Sequence, residues 1–270
     1  MEVTFIGGGN MANAMVGGLL QKGYAAKSLC VVDISTEARD NINNRFGVAA
    51  FADLNQDCAE ASIFILAVKP QQMREAARNL KPLLKQQLVI SIAAGIRTAD
   101  LSRWLGGYTR IVRVMPNTPA LVLSGFSGLY AMPAVTPAEK RQAEAILGAV
   151  GATLWLEREE QLDAITALTG SGPAYVFYFI EALQQAAKEL GFDANQARQL
   201  ALAAFSGAVK LASQGEDAQA LRNRVTSKGG TTERAIGMMD EAKIKRHIVK
   251  AVRAAARRSR ELGDEFGKAG

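Results

Sequence analysis

Six residues near the start of the chain, Gly7-Gly8-Gly9-Asn10-Met11-Ala12, have types and spacing suited to holding a pyrophosphate. They follow a short apolar run, Val3-Thr4-Phe5-Ile6, and open a helix-like stretch reaching about Gly23. The pattern is G-x-G-x-x-A. Gly7 permits a tight turn off a strand. Gly9 has no side chain to keep a pyrophosphate away from the backbone, and Ala12 lets the helix pack close to the strand. At the helix start, around Asn10 and Met11, free N–H groups and the helix dipole favour a bound anion. The next apolar run, Leu29-Cys30-Val31-Val32-Asp33, ends in an acid. Asp33 lies 33 − 9 = 24 residues beyond Gly9, near the ~20 at which a carboxylate meets a ribose hydroxyl.

A second cluster lies far along the chain, in Val225-Thr226-Ser227-Lys228-Gly229-Gly230-Thr231-Thr232-Glu233. Hydroxyls beside free N–H groups at a helix start make a small anion site that a carboxylate would fit. The same residues also serve plain capping, with Thr231 or Thr232 as N-cap and Glu233 in the first turn. One further small-residue loop, Thr169-Gly170-Ser171-Gly172-Pro173-Ala174-Tyr175, reads as a helix start with proline near its first position. The chain has a single histidine, His247, and no Cys–His pair or metal-ligand cluster, so no metal site is expected. Alcohol oxidation usually needs a side-chain base. A protonated imine already accepts hydride, so this inventory leans towards an imine substrate bearing a carboxylate.

These groups need elements to position them. Up to about residue 156, β-rich runs at 2–6, 29–33, 62–67, 87–92, 109–114, 121–131 and 153–156 alternate with amphipathic stretches near 10–22, 36–46, 53–60, 70–81, 98–105 and 137–149. Such alternation predicts an α/β fold with a doubly wound parallel sheet of Rossmann type. Ile63-Phe64-Ile65-Leu66-Ala67-Val68 and Leu88-Val89-Ile90-Ser91-Ile92 read as strands buried on both faces. Ligands of such sheets lie beyond the carboxyl ends of the strands, where Ala67-Val68-Lys69-Pro70, Ala93-Ala94-Gly95 and Met115-Pro116-Asn117-Thr118-Pro119 supply small or proline-fixed loops. Beyond Leu156 the strands stop and alanine-rich helical segments follow, at about 159–168, 173–190, 194–213, 217–225, 232–239 and 241–264. The expected domains are 1–157, binding the nucleotide, and 158–270, all-helical.

At 270 residues with 49% hydrophobic and 21% charged content, the chain has the composition of a soluble globular protein. No signal-peptide pattern opens it, and no apolar run approaches the ~18 residues of a membrane span. Two cysteines, Cys30 and Cys58, lack metal-ligand spacing. A disulfide scaffold is not expected at this size, and the cysteine usage reads as a reducing, cytoplasmic compartment. The net charge is +6, with a basic stripe at Arg246, Lys250, Arg253, Arg257 and Arg260 on the last helix. No aromatic or groove-reading motif accompanies it, which favours a solvated face over nucleic-acid binding.

Five runs carry a family resemblance: Phe5 to Ala12, Leu66-Ala67-Val68-Lys69-Pro70-Gln71, Val112 to Pro119, Gly170-Ser171-Gly172-Pro173-Ala174-Tyr175, and Thr226 to Thr232. Together and in this order they resemble pyrroline-5-carboxylate reductase. The resemblance implies NAD(P)H-dependent reduction of 1-pyrroline-5-carboxylate, the last step of proline biosynthesis. It also implies that the helical domain forms a homodimer, sometimes built into a larger ring. By motif, Ser227, Gly230 and Thr231 would hold the substrate carboxylate, and Thr232 would act as the catalytic group at the ring nitrogen. Gly7, Gly9, Asn10, Met11, Asp33, Ser35, Asn55, Ala67, Val68, Lys69, Ala93 and Ala94 would contact the cofactor.

Asp33 departs from the Asn, Ser or Arg found after the second strand in many NADPH-preferring members. A carboxylate suits a ribose hydroxyl and repels a 2′-phosphate, while Ser35, Thr36 and Arg39 could still hold one. NADP and NAD both stay open. So do two rivals: a 3-hydroxyacid dehydrogenase using a lysine such as Lys188 or Lys210 as base, and a non-catalytic nucleotide sensor.

Overall fold

The computed structural model describes residues 2–268. Eight strands form one sheet: β1 (Val3–Ile6), β2 (Leu29–Val32), β3 (Ala49–Phe51), β4 (Ile63–Leu66), β5 (Leu88–Ser91), β6 (Ile111–Met115), β7 (Gly125–Ala131) and β8 (Gly151–Trp155). Their order is β3-β2-β1-β4-β5-β6-β7-β8. The order reverses direction at β1, whose carboxyl end is therefore the crevice where such sheets bind ligands. Pairing is parallel from β3 through β6, so the doubly wound sheet expected from the sequence is present.

Two features of the sheet differ from expectation. β3 was not foreseen, because Ala49-Ala50-Phe51 is too short and too rich in alanine to carry a strand pattern. β7 runs antiparallel to β6. Only a short 3₁₀ segment, Thr118–Val122, joins them, and a parallel return needs a crossover of a dozen residues or more.

The strands are buried because successive side chains enter two different cores. Val3, Phe5, Ile63, Ile65, Leu88, Ile90, Val112 and Val114 pack with α1 (Asn10–Gln21), α2 (Thr36–Phe46) and α6 (Pro137–Leu147). Ile6, Phe64, Leu66, Val89 and Ile111 pack with α4 (Met73–Leu80) and α5 (Thr98–Trp104). Each fully buried side chain of this size contributes roughly 1.5–3 kcal/mol. At the start of α6, Thr136 and Glu139 form a reciprocal capping box. Burial acts to raise the Glu139 carboxyl, but hydrogen bonds from Thr136 and Arg110 outweigh it and hold the group below its ordinary value. That contribution to stability is present above the ordinary carboxylate range and is lost as pH falls through the lowered value.

The chain divides into two compact units, residues 1–171 with 255–270, and residues 172–254. The division falls later than the 157/158 boundary expected from the sequence. Residues 158–171 belong to the sheet unit because α7 (Gln161–Ile165) buries Leu162 and Ile165 there. The end of the last helix also returns to that unit: Asp264 pairs with Arg97 at 2.7 Å and Ser259 donates to Asp163 at 2.6 Å. The second unit is all-helical, with α8 (Gly172–Glu189), α9 (Ala194–Ala212), α10 (Ala218–Arg224), α11 (Thr231–Glu241) and the first part of α12 (Ile244–Lys268).

The two cysteines also meet in the fold. Cys30 on β2 and Cys58 on α3 (Gln56–Ala59) are joined in a disulfide, with Cα atoms 6.0 Å apart. A single crosslink is not a scaffold, and spacing in sequence carries no record of which strand a one-turn helix will lie against. Among the described residues, no helix is long and apolar enough to cross a membrane.

Beneath the carboxyl end of the sheet lies a buried ion pair. Arg113 on β6 donates to Glu159 at 2.8 Å, and the Thr98 N–H and hydroxyl donate to the same carboxylate at 2.7 and 2.6 Å. The two charged side chains are 8% and 17% exposed. Glu159→Ala should leave Arg113 buried without its partner and lower unfolding stability by about 3 kcal/mol. Glu159→Gln, which keeps one acceptor oxygen for the Thr98 N–H, should cost less. Denaturant midpoints of the two variants test this, and a loss below ~1 kcal/mol for the alanine variant would show a pair worth no more than a solvated one.

Candidate functional site

The glycine turn is held from three sides. Gly7 adopts φ +108°, and a Cβ there would lie 2.7 Å from the Ala67 carbonyl group, so only glycine lets β1 leave the sheet beside the end of β4. Asp33, just past β2, accepts from the Gly8 N–H at 2.6 Å and from the Ser35 N–H at 2.8 Å. Asn13, buried on α1, donates back to the carbonyls of Gly8 and Gly9 at 2.8 and 3.1 Å, while Asn41 donates to its oxygen at 2.9 Å. At Gly9, the N-cap of α1, no side chain caps the helix. A Cβ at Gly9 would have no atom within 4 Å. The turn thus presents open space in front of unshielded helix N–H groups, which suits a pyrophosphate.

That space belongs to a cavity of about 700 Å³ in the sheet unit, a volume typical of small-molecule sites. Of the residues expected at the cofactor, Gly7, Gly9, Asp33, Ala67, Val68 and Lys69 line it. The other six are not among its lining residues. Asn10 is exposed at the first position of α1, and Met11 packs against the core. Ser35 and Asn55 are N-caps, accepting from the N–H groups of Ala38 and Cys58 at 3.3 and 3.0 Å. Ala93 is buried against the second core, and Ala94 is half-buried after β5.

The helical unit carries the other candidate cluster. Gly230, rather than Thr231 or Thr232, is the N-cap of α11. Its N–H donates to the Ser227 carbonyl at 3.0 Å, so it is not available to a ligand in this conformation. What Gly230 supplies is the lack of a side chain, because a Cβ there would sit 2.7 Å from Ser227 Oγ. Gly229 has φ +74° and donates from its N–H to Glu233 at 2.7 Å. The Thr226 hydroxyl donates to the Arg222 carbonyl at 2.7 Å. Ser227 and Thr231 are exposed and Thr232 is half-buried on the first turn of α11. Lys188, Lys210 and His247 are all exposed on their helices.

Comparison with known proteins bears on both clusters. Residues 159–262 match the family model described as pyrroline-5-carboxylate reductase dimerisation, and residues 2–95 match the one described as NADP oxidoreductase, coenzyme F420-dependent. A pyrroline-5-carboxylate reductase from Pseudomonas aeruginosa is 42% identical over 99% of this chain and 98% of its own. The chain belongs to the pyrroline-5-carboxylate reductase family. The structure of a family member from Coxiella burnetii superposes with a TM-score of 0.91 at 41% identity, covering 97% of this chain and 98% of that one. One from Plasmodium falciparum, solved with NADP bound, gives 0.87 at 28% identity over 97% and 98% of the two chains.

Several residues that shape the cavity were not foreseen. Ala52, Asp53 and Leu54, between β3 and α3, line it; their strand was too short to read. Ile34 lines it with 80% of its surface exposed, an apolar lip at the mouth. Arg39, expected from the sequence as a possible phosphate partner, is held beside Asp33 by donating to the carbonyls of Asp33 and Ile34 at 2.8 and 2.9 Å. Asn13 had a legible signal, a polar residue on the apolar face of α1. Outside the cavity, Asn117 ties the expected loop after β6 to its surroundings, donating to the Thr169 carbonyl at 3.0 Å and accepting from the Phe126 N–H at 2.8 Å.

The open space at Gly9 makes it the most direct probe. Gly9→Val should still fold, since its Cβ meets nothing. It should weaken NADH and NADPH binding by on the order of 10-fold or more, equivalent to ~1.4 kcal/mol. Unchanged dissociation constants by fluorescence titration would remove the pyrophosphate from this turn.

Proposed function

We propose that the chain reduces 1-pyrroline-5-carboxylate to L-proline with NADPH or NADH, the last step of proline biosynthesis. The observation that carries this is the Ser227–Thr232 loop, which puts the hydroxyl-bearing Ser227, Thr231 and Thr232 at the start of α11, where Gly230 is the N-cap and no side chain caps the helix. The first unit, with its cavity over the glycine turn, takes the nucleotide. Residues 158–270 act as the substrate-binding and dimerisation domain.

The bound nicotinamide nucleotide supplies hydride. The chain's own residues hold and polarise the substrate. The Ser227 hydroxyl and the Thr231 N–H take its carboxylate, and the Thr232 hydroxyl oxygen accepts from the N–H of the protonated ring nitrogen. That contact fixes rotation about the carboxylate anchor and helps keep the imine protonated, the form that accepts hydride without an imidazole base. Along the cofactor, Ala67, Val68, Lys69, Ala93 and Ala94 act mainly through backbone, with Asn10, Met11, Ser35 and Asn55 supporting the turn and pocket. Asp33, held inward by two backbone N–H groups, keeps NADH within reach, and the Arg39 guanidinium beside it offers a cation to a 2′-phosphate. Both nucleotides are therefore substrates in this proposal, and the enzyme works in the cytoplasm.

The active assembly is proposed as a homodimer, with a ring of dimers as the larger form. Phe177, Tyr178, Leu200, Val209, Leu211 and Met238 of the helical unit are between 47% and 71% exposed in the single chain, more apolar surface than a monomer usually leaves in water. Sedimentation should give a dimer or a multiple of one, and a stable monomer at micromolar concentration would sink this part.

Consumption of NAD(P)H with pyrroline-5-carboxylate tests the reaction, and Thr232 tests its mechanism. Thr232→Ala should lower turnover by on the order of 10²-fold while nucleotide affinity stays the same, and Thr232→Ser should retain more activity. If Thr232→Ala turns over at the wild-type rate, Thr232 has no catalytic role.

A further inference from the structure

Neither cysteine has a part in the proposed reaction, yet the fold brings the two together across 28 residues of sequence. Their Cα separation of 6.0 Å lies in the range a disulfide spans. Cys30 is half-buried and Cys58 fully buried, so Cys30 is the sulfur a small reagent reaches first.

The crosslink joins two segments that both reach the cavity over the glycine turn. Three residues beyond Cys30, Asp33 lines that cavity, and Ala52, Asp53 and Leu54 line it shortly before Cys58. The helix bearing Cys58 is one turn of four residues, too short to be stable alone. Cys58 is otherwise held by the Thr4 hydroxyl, which donates to its carbonyl at 2.9 Å, and by its own N–H, which donates to Asn55 at 3.0 Å. Without the disulfide, the tie between this turn and β2 is lost. Residues 52–55 then keep more freedom, which a bound nucleotide must remove.

We propose that Cys30 and Cys58 form a reversible dithiol–disulfide site that sets affinity for the adenosine end of the cofactor, tighter when oxidised and weaker when reduced. This rests on the cavity being the nucleotide site. The oxidant is a hydroperoxide. The Cys30 thiolate attacks the peroxide oxygen, the O–O bond breaks, and water or an alcohol leaves after taking a proton. Cys30 is then a sulfenic acid. The Cys58 sulfur displaces its hydroxyl, forming the S–S bond, and the Cys58 proton leaves with the hydroxyl as water. The two sulfurs together give two electrons to the peroxide. An external dithiol reverses the step by exchange at Cys30, ending as a disulfide itself while both thiols return.

The test uses the full chain after treatment with hydrogen peroxide or dithiothreitol. Alkylation with iodoacetamide and mass measurement count the thiols, and fluorescence titration gives the NADPH dissociation constant. We expect two alkylated thiols after reduction and none after oxidation, with NADPH bound on the order of 3- to 10-fold more weakly by the reduced form. Re-oxidation should restore the tighter value. Cys30→Ser should show the reduced-form affinity under both treatments. Equal dissociation constants in the two redox states, or two alkylated thiols after peroxide, would overturn the proposal. If neither state binds NADPH while circular dichroism shows an intact fold, the nucleotide reading of the cavity falls and this inference falls with it.

Discussion

The close approach of Gly7 to Ala67 governs the cofactor side of this structure. A strand must leave the sheet, turn and start a helix in three residues, within van der Waals range of the neighbouring strand's end. A Cβ at Gly7 would lie 2.7 Å from the Ala67 carbonyl carbon and oxygen, and the φ of +108° is one that other residues adopt only with strain. Because the turn is tight, the start of α1 faces the crevice with its N–H groups bare. It is pinned by Asp33 and Asn13 through hydrogen bonds of the chain's own. Such preorganisation lowers the ordering cost of binding.

Charge is handled differently in the two halves of the chain. Several buried polar groups in the sheet unit are matched closely, as with Arg113, Glu159 and Thr98, or Asn117 between Thr169 and Phe126. These ties hold the loops at the carboxyl ends of the strands, where a flat ring would lie. Isolated charges would be costly at such depth, so these sites are fixed by their partners as much as by packing. In the helical unit most charges are solvated. Arg246, Lys250 and Arg253 on α12 are exposed, and few side chains are buried beyond Ala187, Ala197 and Ala201. A helical layer with so little core of its own needs a partner surface, in keeping with its match to a dimerisation region.

Most of the architecture was legible in the sequence because it depends on local rules. The period of the apolar residues gave the central strands and the helices around them, and the loss of strand patterning beyond Leu156 marked the helical half. The glycine spacing marked a candidate nucleotide turn, and the serine, glycine and threonine run marked a second candidate site. These signals survive without coordinates because each follows from backbone sterics or from which faces must be buried. β3 was not legible, since three residues on an edge need little hydrophobicity. Neither was the sense of β7, which depends on how far a short 3₁₀ segment can reach.

What only tertiary structure decided is which groups are already engaged. In the sequence, Asp33 was a carboxylate aimed at a ribose; in the fold both its oxygens accept backbone N–H groups of the turns beside it. Gly230 was an N–H donor for a carboxylate, and its N–H is bound to Ser227. Ser35 and Asn55 were cofactor contacts and serve as helix caps. Cys30 and Cys58 were two separate residues and meet as a pair. In each case sequence fixes residue type and local conformation, whereas the hydrogen bonds and contacts a group makes depend on segments brought together across tens of residues, and no short-range pattern encodes that.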